Sequence, residues 1–436
     1  MSIEELYTRF KAGNGVCTDT RNIVKGSIFF ALRGARFNGN TFAAQALSEG
    51  SNYAVIDEDP EQWDDRFIRV DSALETLQKL ATHHRRQFSI PVIALTGSNG
   101  KTTSKELMAA ALAPVFRVHA TRGNLNNHIG VPLTLLAMGH DAEIAIIEMG
   151  ANQPNDIGEL CAIAEPDFGI ITNIGSAHLE GFGGKEGVRK AKGQMYDYHR
   201  THKGKLFVHC NDATLMQMSE GMERITYATR MHDEASVCGQ SEGSGLCMAF
   251  RWSSNDFSSD IIQTQLSGAY NVPNFMLAVC VAHYFDVPGK TICDALANYT
   301  PDNNRSQVVR AGSNTLIMDA YNANPTSTEA ALQELARTST PLSKMCILGD
   351  MLELGDDEET EHIRIAQLVR TLGLEGVFVG SAFCHAIEKA ALPFPAFEDN
   401  KKAGSYLDTN RPVGKLILVK GSRGIQLEGL VPLLGA

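Results

Sequence analysis

Six short apolar runs, rich in β-branched residues, each break off into a polar tail, and this limits the chain to an α/β fold with largely parallel strands. Run 92–95 gives way to Gly97-Ser98-Asn99-Gly100-Lys101-Thr102-Thr103, run 144–147 to Glu148, and run 169–171 to Thr172 and, further on, His178. Later in the chain, run 316–318 ends at Asp319, run 345–348 at Gly349 and Asp350, and run 416–419 at Lys420 and Arg423. Helical segments separate the runs, as crossovers between parallel strands require. Open parallel sheets receive ligands at the carboxyl ends of their strands. Two sheets lined with such tails predict a reaction centre in the cleft between them.

At 436 residues the chain has room for three domains, each with its own core. The pattern divides it into a small N-terminal α/β domain over 1–88, a central phosphate-loop ATPase domain with a mostly parallel sheet over 89–303, and a C-terminal Rossmann-like α/β domain over 304–436. Residues 234–259, rich in Ser and Gly, read as irregular strands and loops. The net charge of −11 argues against unspecific nucleic-acid or membrane-surface binding. Nine cysteines without a C-x-x-C pair read as free thiols of a reducing compartment, and Cys280 and Cys346 lie in apolar runs that call for packing alone. The first thirteen residues lack a signal pattern, and no apolar run approaches the ~20 residues that span a bilayer. The expectation is a cytoplasmic monomer that binds no nucleic acid and does not insert stably in membranes.

Gly97 to Thr103 carry the sharpest signal, because they follow a strand and open a helix over 104–112. Backbone amides at such a turn cradle a polyphosphate, Lys101 neutralises its outer oxygens, and the Thr102 hydroxyl helps hold Mg²⁺. The loop is two residues shorter than the general form. Glu148 ends an apolar strand, where a carboxylate is expensive unless paired or metal-bound; it serves either a metal or the cap of the next helix. His178 shares that sheet edge, and as an unusual ligand for Mg²⁺ it points to a special site. Lys192 sits in a predicted helix over 186–198 beside Lys185, Arg189 and Lys190, and by composition belongs to a solvated basic face.

Thr96-Gly97-Ser98-Asn99-Gly100-Lys101-Thr102-Thr103 resembles the shortened phosphate loop of the Mur ligases, which share their plan with folylpolyglutamate synthase. The resemblance runs through Asn124 to Pro132, Glu148 to Gln153, Asn173 to Gly183, Asp319 to Pro325, Gly349 to Gly355 and Lys420 to Arg423. These strings are most similar to the D-alanyl-D-alanine-adding branch of the family. The resemblance implies ATP-dependent joining of D-alanyl-D-alanine to UDP-N-acetylmuramoyl-tripeptide through an acyl phosphate, with two Mg²⁺ ions. It implies Lys101, His178 and Lys192 as catalytic residues, with Lys192 carbamylated, and Thr102, Glu148, His178 and Lys192 as metal ligands. Asn271 and Asn274 match the family's asparagines beside adenine, and Arg305 and Asp319 match residues near ATP at the third domain. Thr20 and Arg21, with Asn126 and Asn127, match positions that meet the UDP-precursor. Tyr270 stands where the family carries histidine, and Ala320 where it carries serine. Two other readings stay open: the diamino-acid-adding branch, whose Asp-Asn-Pro-Arg signature is nearest here to Asp302-Asn303-Asn304-Arg305, and a nucleotide-gated binding module without catalysis.

Overall fold

The computed structural model describes residues 1–34, 37–175, 182–301 and 304–435; His178, Asp302 and Asn303 lie outside them. Three α/β units follow one another along the chain, each built on its own sheet.

The first sheet is parallel, in the order Val16–Cys17, Ile28–Phe30, Tyr53–Ile56, Phe67–Arg69. Its opening helix, Ile3–Lys11, starts at a capping box in which Ser2 and Glu5 satisfy each other's backbone amides. Helix Ala73–Arg85 then leads towards the central sheet, burying Leu77, Leu80 and Ala81. The apolar core runs without interruption from Leu6 and Phe30 through Leu77 to Val92, Val131 and Leu160. One apolar cluster is therefore shared by the first two units, and each keeps a second of its own, around Phe29 and Ala54 in the first and around Ile93, Leu95 and Phe275 in the central one. The cause of the sharing is helix Ala73–Arg85, which is packed on both sides. Its terminal Arg85, almost wholly buried, donates to the carbonyls of Ala164, Glu165 and Phe88 and to Asp167, pinning the helix to the central domain.

The central sheet has nine strands. Val92–Thr96 lies in its middle, flanked in parallel by Ile144–Glu148 and Phe168–Ile171. Val118–Ala120 lies beyond Ile144–Glu148, while Lys205–His209 and Arg224–Ala228 extend the other side. The chain thus leaves Val92–Thr96 towards one edge and returns to build the other, which makes the end of that strand the switch point where a ligand crevice opens. Residues 234–259 are more regular than their composition suggests. Val237–Glu242 and Ala249–Ser253 pair antiparallel over five residue pairs, because Val237, Phe250 and Trp252 bury one side of the ribbon.

Helix Val272–Tyr284 is buried nearly all round, between the central sheet and helix Lys101–Leu112. The third sheet, in the order Gln307–Ala311, Asn314–Asp319, Lys415–Lys420, Ser343–Gly349, Glu375–Val379, Ala396–Phe397, is parallel except for its first strand. Separate apolar clusters cover its two faces. Among the described residues no helix is long and apolar enough to cross a membrane.

Candidate active site

The polar tails converge as the strand order requires. Loop 97–100 turns directly from strand Val92–Thr96 into helix Lys101–Leu112, three residues earlier than the sequence suggested. Two glycines make the turn possible. Gly100 takes φ +79°, and a Cβ on Gly97 would lie 1.9 Å from the Thr172 hydroxyl. The neighbouring tail clamps the loop. Thr172 Oγ1 and Asn173 Nδ2 donate to the Asn99 carbonyl at 2.6 and 3.0 Å, Asn173 Oδ1 accepts from the Asn99 amide, and Ser98 Oγ donates to the Gly175 carbonyl. Lys101 Nζ folds back onto the Gly97 carbonyl at 2.7 Å. Burial pushes its ammonium below the usual lysine range, Glu148 opposes that shift, and Arg305 adds to it.

Glu148, 2% exposed, stands beside the loop. Its Oε1 accepts from Thr102 Oγ1 at 3.2 Å and from Asn126 Nδ2 at 2.9 Å, while Oε2 is buried without a hydrogen-bond partner. Lys105 Nζ lies 3.9 Å from that oxygen and donates to the Thr121 carbonyl at 2.5 Å. Lys192 is fully buried in helix Lys185–His202, and its Nζ has no hydrogen-bond partner. Burial, with Lys101 nearby, pushes that ammonium down to about 7. The structure thus overturns the solvated basic face read from composition: Lys190 is exposed and Arg189 half-buried, but position 192 faces inward.

These groups suit a divalent cation without forming a finished cage. Among the described residues no three His, Cys, Asp or Glu side chains converge on one point. Mg²⁺ is usually held by one or two carboxylates together with substrate phosphates, which a bare Glu148 oxygen beside a phosphate loop fits. An amine buried without a partner is costly as a cation, and a carboxylate-bearing derivative of Lys192 would suit a metal site better than the lysine itself.

A cavity of about 500 Å³ opens next to this cluster, lined by Thr102, Thr121, Arg122 and Gly123 from the central domain and by Arg305 and Tyr321 from the third. Across it Asn324 Nδ2 donates to Asn99 Oδ1 at 2.7 Å, so the third domain touches the tip of the phosphate loop.

Residues 14–85, 95–282 and 304–423 match, in turn, the models for the Mur ligase family catalytic domain, the Mur ligase middle domain and the Mur ligase glutamate ligase domain. Over 432 residues the chain is 34% identical to the UDP-N-acetylmuramoyl-tripeptide--D-alanyl-D-alanine ligase of Bacillus subtilis (strain 168), covering 96% of this chain and 92% of that one. The chain belongs to the Mur ligase family. The ligase of the same name from Synechocystis sp. is 32% identical over 96% of this chain and 91% of its own. A crystal structure of MurF from Acinetobacter baumannii superposes with a TM-score of 0.86 at 31% identity, covering 96% and 92% of the two chains.

In this Mur ligase the residues singled out from the sequence fall into three groups. Gly97 to Thr103, Glu148, Arg305 and, through electrostatics, Lys192 gather at the loop and cavity. Asn271 and Asn274 lie beneath them, with amides already committed. Asn274 Nδ2 donates to Asn271 Oδ1, Asn274 Oδ1 accepts from Ser104 Oγ at 3.0 Å, and Asn271 Nδ2 donates to the Ser267 carbonyl and to Ser306 Oγ. They brace the loop helix against the hinge. The Asn126 amide donates to Glu148, and Asn127 Oδ1 accepts from the amides of Ile129 and Gly130 at the entry to helix Gly130–Leu136. Asp319 pairs with Lys420 Nζ at 2.7 Å. Thr20 and Arg21 lie in a short turn of the first domain, where Arg21 pairs with Asp19; among the described residues no bond links them to the phosphate loop. His178 lies outside the described residues. Sequence reasoning missed Lys105, whose i,i+4 spacing from Lys101 was the available signal, together with Thr121 and the Asn324 bridge.

Proposed function

We propose that this Mur ligase joins D-alanyl-D-alanine to the terminal carboxylate of UDP-N-acetylmuramoyl-tripeptide, hydrolysing ATP to ADP and phosphate, in the cytoplasmic stage of peptidoglycan synthesis. The observation that carries the reading is the meeting of a phosphate loop, a half-satisfied buried carboxylate at Glu148 and an unpartnered buried amine at Lys192 beside an interdomain cavity. The full-length likeness to ligases of that name supplies the substrates.

A carboxylate does not acylate an amine at neutral pH, because its oxide leaves poorly. Phosphorylation by ATP converts it to an acyl phosphate, which the dipeptide amine attacks with loss of phosphate. Loop amides 97–103 and Lys101 hold the triphosphate at the start of helix Lys101–Leu112. Thr102 and Glu148 would hold one Mg²⁺, and His178 and carbamylated Lys192 a second; bound there, the ions neutralise charge on the transferred phosphate. Asn126 holds Glu148 through Oε1, the oxygen that also meets Thr102, and Lys105 lies 3.9 Å from Oε2. An amine held near neutrality by burial, as at Lys192, adds CO₂ and releases a proton to become a carbamate. The first domain, with Thr20 and Arg21, would take the UDP moiety, and the third would bring the dipeptide.

The test is ADP release by purified protein with ATP, Mg²⁺, D-alanyl-D-alanine and precursors that differ in their third peptide residue. Release is expected only when both carboxyl and amine substrates are present. Vigorous ATP hydrolysis independent of both would overturn the proposal.

A further inference from the structure

Two guanidinium groups share one aromatic ring, Tyr321, which lines the cavity together with Arg305. Arg305 Cζ lies 3.9 Å from the centroid of Tyr321, and Arg423 Cζ lies 5.3 Å from the same centroid. The two cations are therefore within about 9 Å of each other. Two like charges over one ring leave room for an anion to neutralise them. The other cation of this strand end, Lys420, is committed to Asp319. Arg423 is exposed, yet its backbone is fixed: Ser422 N donates to the Asp350 carbonyl, Ser422 Oγ accepts from Leu352 N at 3.0 Å, and Ile425 N closes the turn on the Ser422 carbonyl. A guanidinium stacked on a ring, exposed to solvent and anchored at its root is prepared for a planar anion.

We propose that Arg423, with Tyr321 as its platform, binds the free carboxylate of the incoming dipeptide and so selects an acceptor with a free C-terminus. The proposal rests on the function given above. Position separates the basic residues around the cavity. Arg305 sits nearest the ring and lines the cavity together with Thr102 of the phosphate loop, which assigns it to the phosphate side. Arg122 comes from the central domain, on the chain that carries Asn126 to Glu148. Arg423 belongs to the end of strand Lys415–Lys420 in the third domain, the side from which the amine must arrive. Two residues extend at most about 7 Å, so a dipeptide with its amine beside the phosphate faced by Arg305 reaches Arg423 with its carboxylate.

The experiment compares D-alanyl-D-alanine with its C-terminal carboxamide as acceptor, in the full-length enzyme and in Arg423→Ala, Arg423→Lys and Arg122→Ala. In the unaltered enzyme kcat/KM for the carboxamide should fall by about ten- to a hundredfold, the range of a lost charge-assisted bond. Arg423→Ala should treat acid and amide alike, through a raised KM for the acid, with KM for ATP and for the precursor unchanged. Arg423→Lys should keep part of the preference, as a cation without the fork. Equal use of acid and amide by the unaltered enzyme overturns the proposal, as does loss of discrimination in Arg122→Ala instead of Arg423→Ala. A protein that releases ADP with neither acceptor refutes the ligase reading itself, so the two failures are distinguishable. Thermal midpoints of the variants separate loss of folding from loss of binding.

Discussion

At the scale of single residues, this chain keeps polar groups where packing alone would place apolar ones, and two of them have measurable consequences. Lys192 is fully buried and among the described residues its amine has no hydrogen-bond partner, an arrangement that costs stability and therefore points to a use. Lys192→Ala is expected to lower ligation by more than about a hundredfold without lowering the thermal midpoint. Carbon-13 NMR in labelled bicarbonate should show a carbamate signal in the unaltered enzyme and none in the variant. An unchanged rate in Lys192→Ala would remove the residue from the mechanism. His199 is the second case: it is wholly buried, neither ring nitrogen has a partner, and burial pushes its pKa from 6.5 to about 4. Because the folded value lies below the unfolded one, the unfolded chain takes up the proton first as pH falls. Stability tied to the neutral ring is complete above pH 6.5 and drains away towards pH 4. Between pH 7 and pH 5 the loss should be roughly 2 kcal/mol, and His199→Leu should remove that part of the slope in urea-unfolding midpoints. Identical pH slopes in the two proteins would contradict the assignment.

Secondary elements act here through a relay of side chains that joins the phosphate loop to the hinge. Ser104 on the loop helix donates to Asn274, Asn274 donates to Asn271, and Asn271 donates to Ser306 at the entry to the third domain. Tyr270 bonds the same Ser306 through its hydroxyl at 2.9 Å and packs on the core of the third domain. Asn274→Ala would leave the Ser104 hydroxyl and the Asn271 carbonyl buried without partners, a loss of roughly 2–4 kcal/mol in urea unfolding. It should also weaken ATP binding in calorimetric titration, because Gly100 rests against the Asn274 side chain. Retained affinity with lowered stability would confine the relay to folding. This relay marks the limit of what the sequence alone discloses. The phosphate loop was legible because strand, turn and helix that build it are consecutive, and its chemistry lies in local backbone. The order of strands around it was legible only as a tendency towards parallel pairing. Lys105, Asn126 and Asn274 escaped their true partners for a common reason: each meets a group brought close by the sheet crossover, 170 residues away in the case of Ser104 and Asn274. Lys192 was read from the charge of its neighbours, whereas its own direction around the helix decided its surroundings.

Across the whole molecule, the third domain is held against the loop by few direct bonds, and one of them can be cut without disturbing local folding. Asn324 has two tasks. Its Oδ1 caps helix Pro325–Arg337 by accepting from Ser327 N at 2.9 Å, and its Nδ2 reaches across to Asn99 Oδ1. Asn324→Asp keeps the cap, since aspartate caps helices as well as asparagine, but replaces the bridging donor with an acceptor that repels the Asn99 oxygen. Loss of a neutral hydrogen bond, worth about 1 kcal/mol, should shift the balance between open and closed arrangements several-fold towards open. Further links run to Ser306 at the hinge, from Tyr270, Asn271 and the Ser267 amide, and along the flank from the Ser339 amide to the Ser244 carbonyl. They would keep the domain attached but give it less leverage on the loop. Small-angle scattering of the nucleotide-free Asn324→Asp protein should therefore report a larger radius of gyration than the unaltered enzyme. Ligation should slow by about five- to tenfold in kcat, while KM for ATP changes little, because the loop's own clamp by Thr172 and Asn173 is intact. Equal compactness and equal kcat would show that closure does not depend on this contact, and Asn99 would then be left to the nucleotide alone.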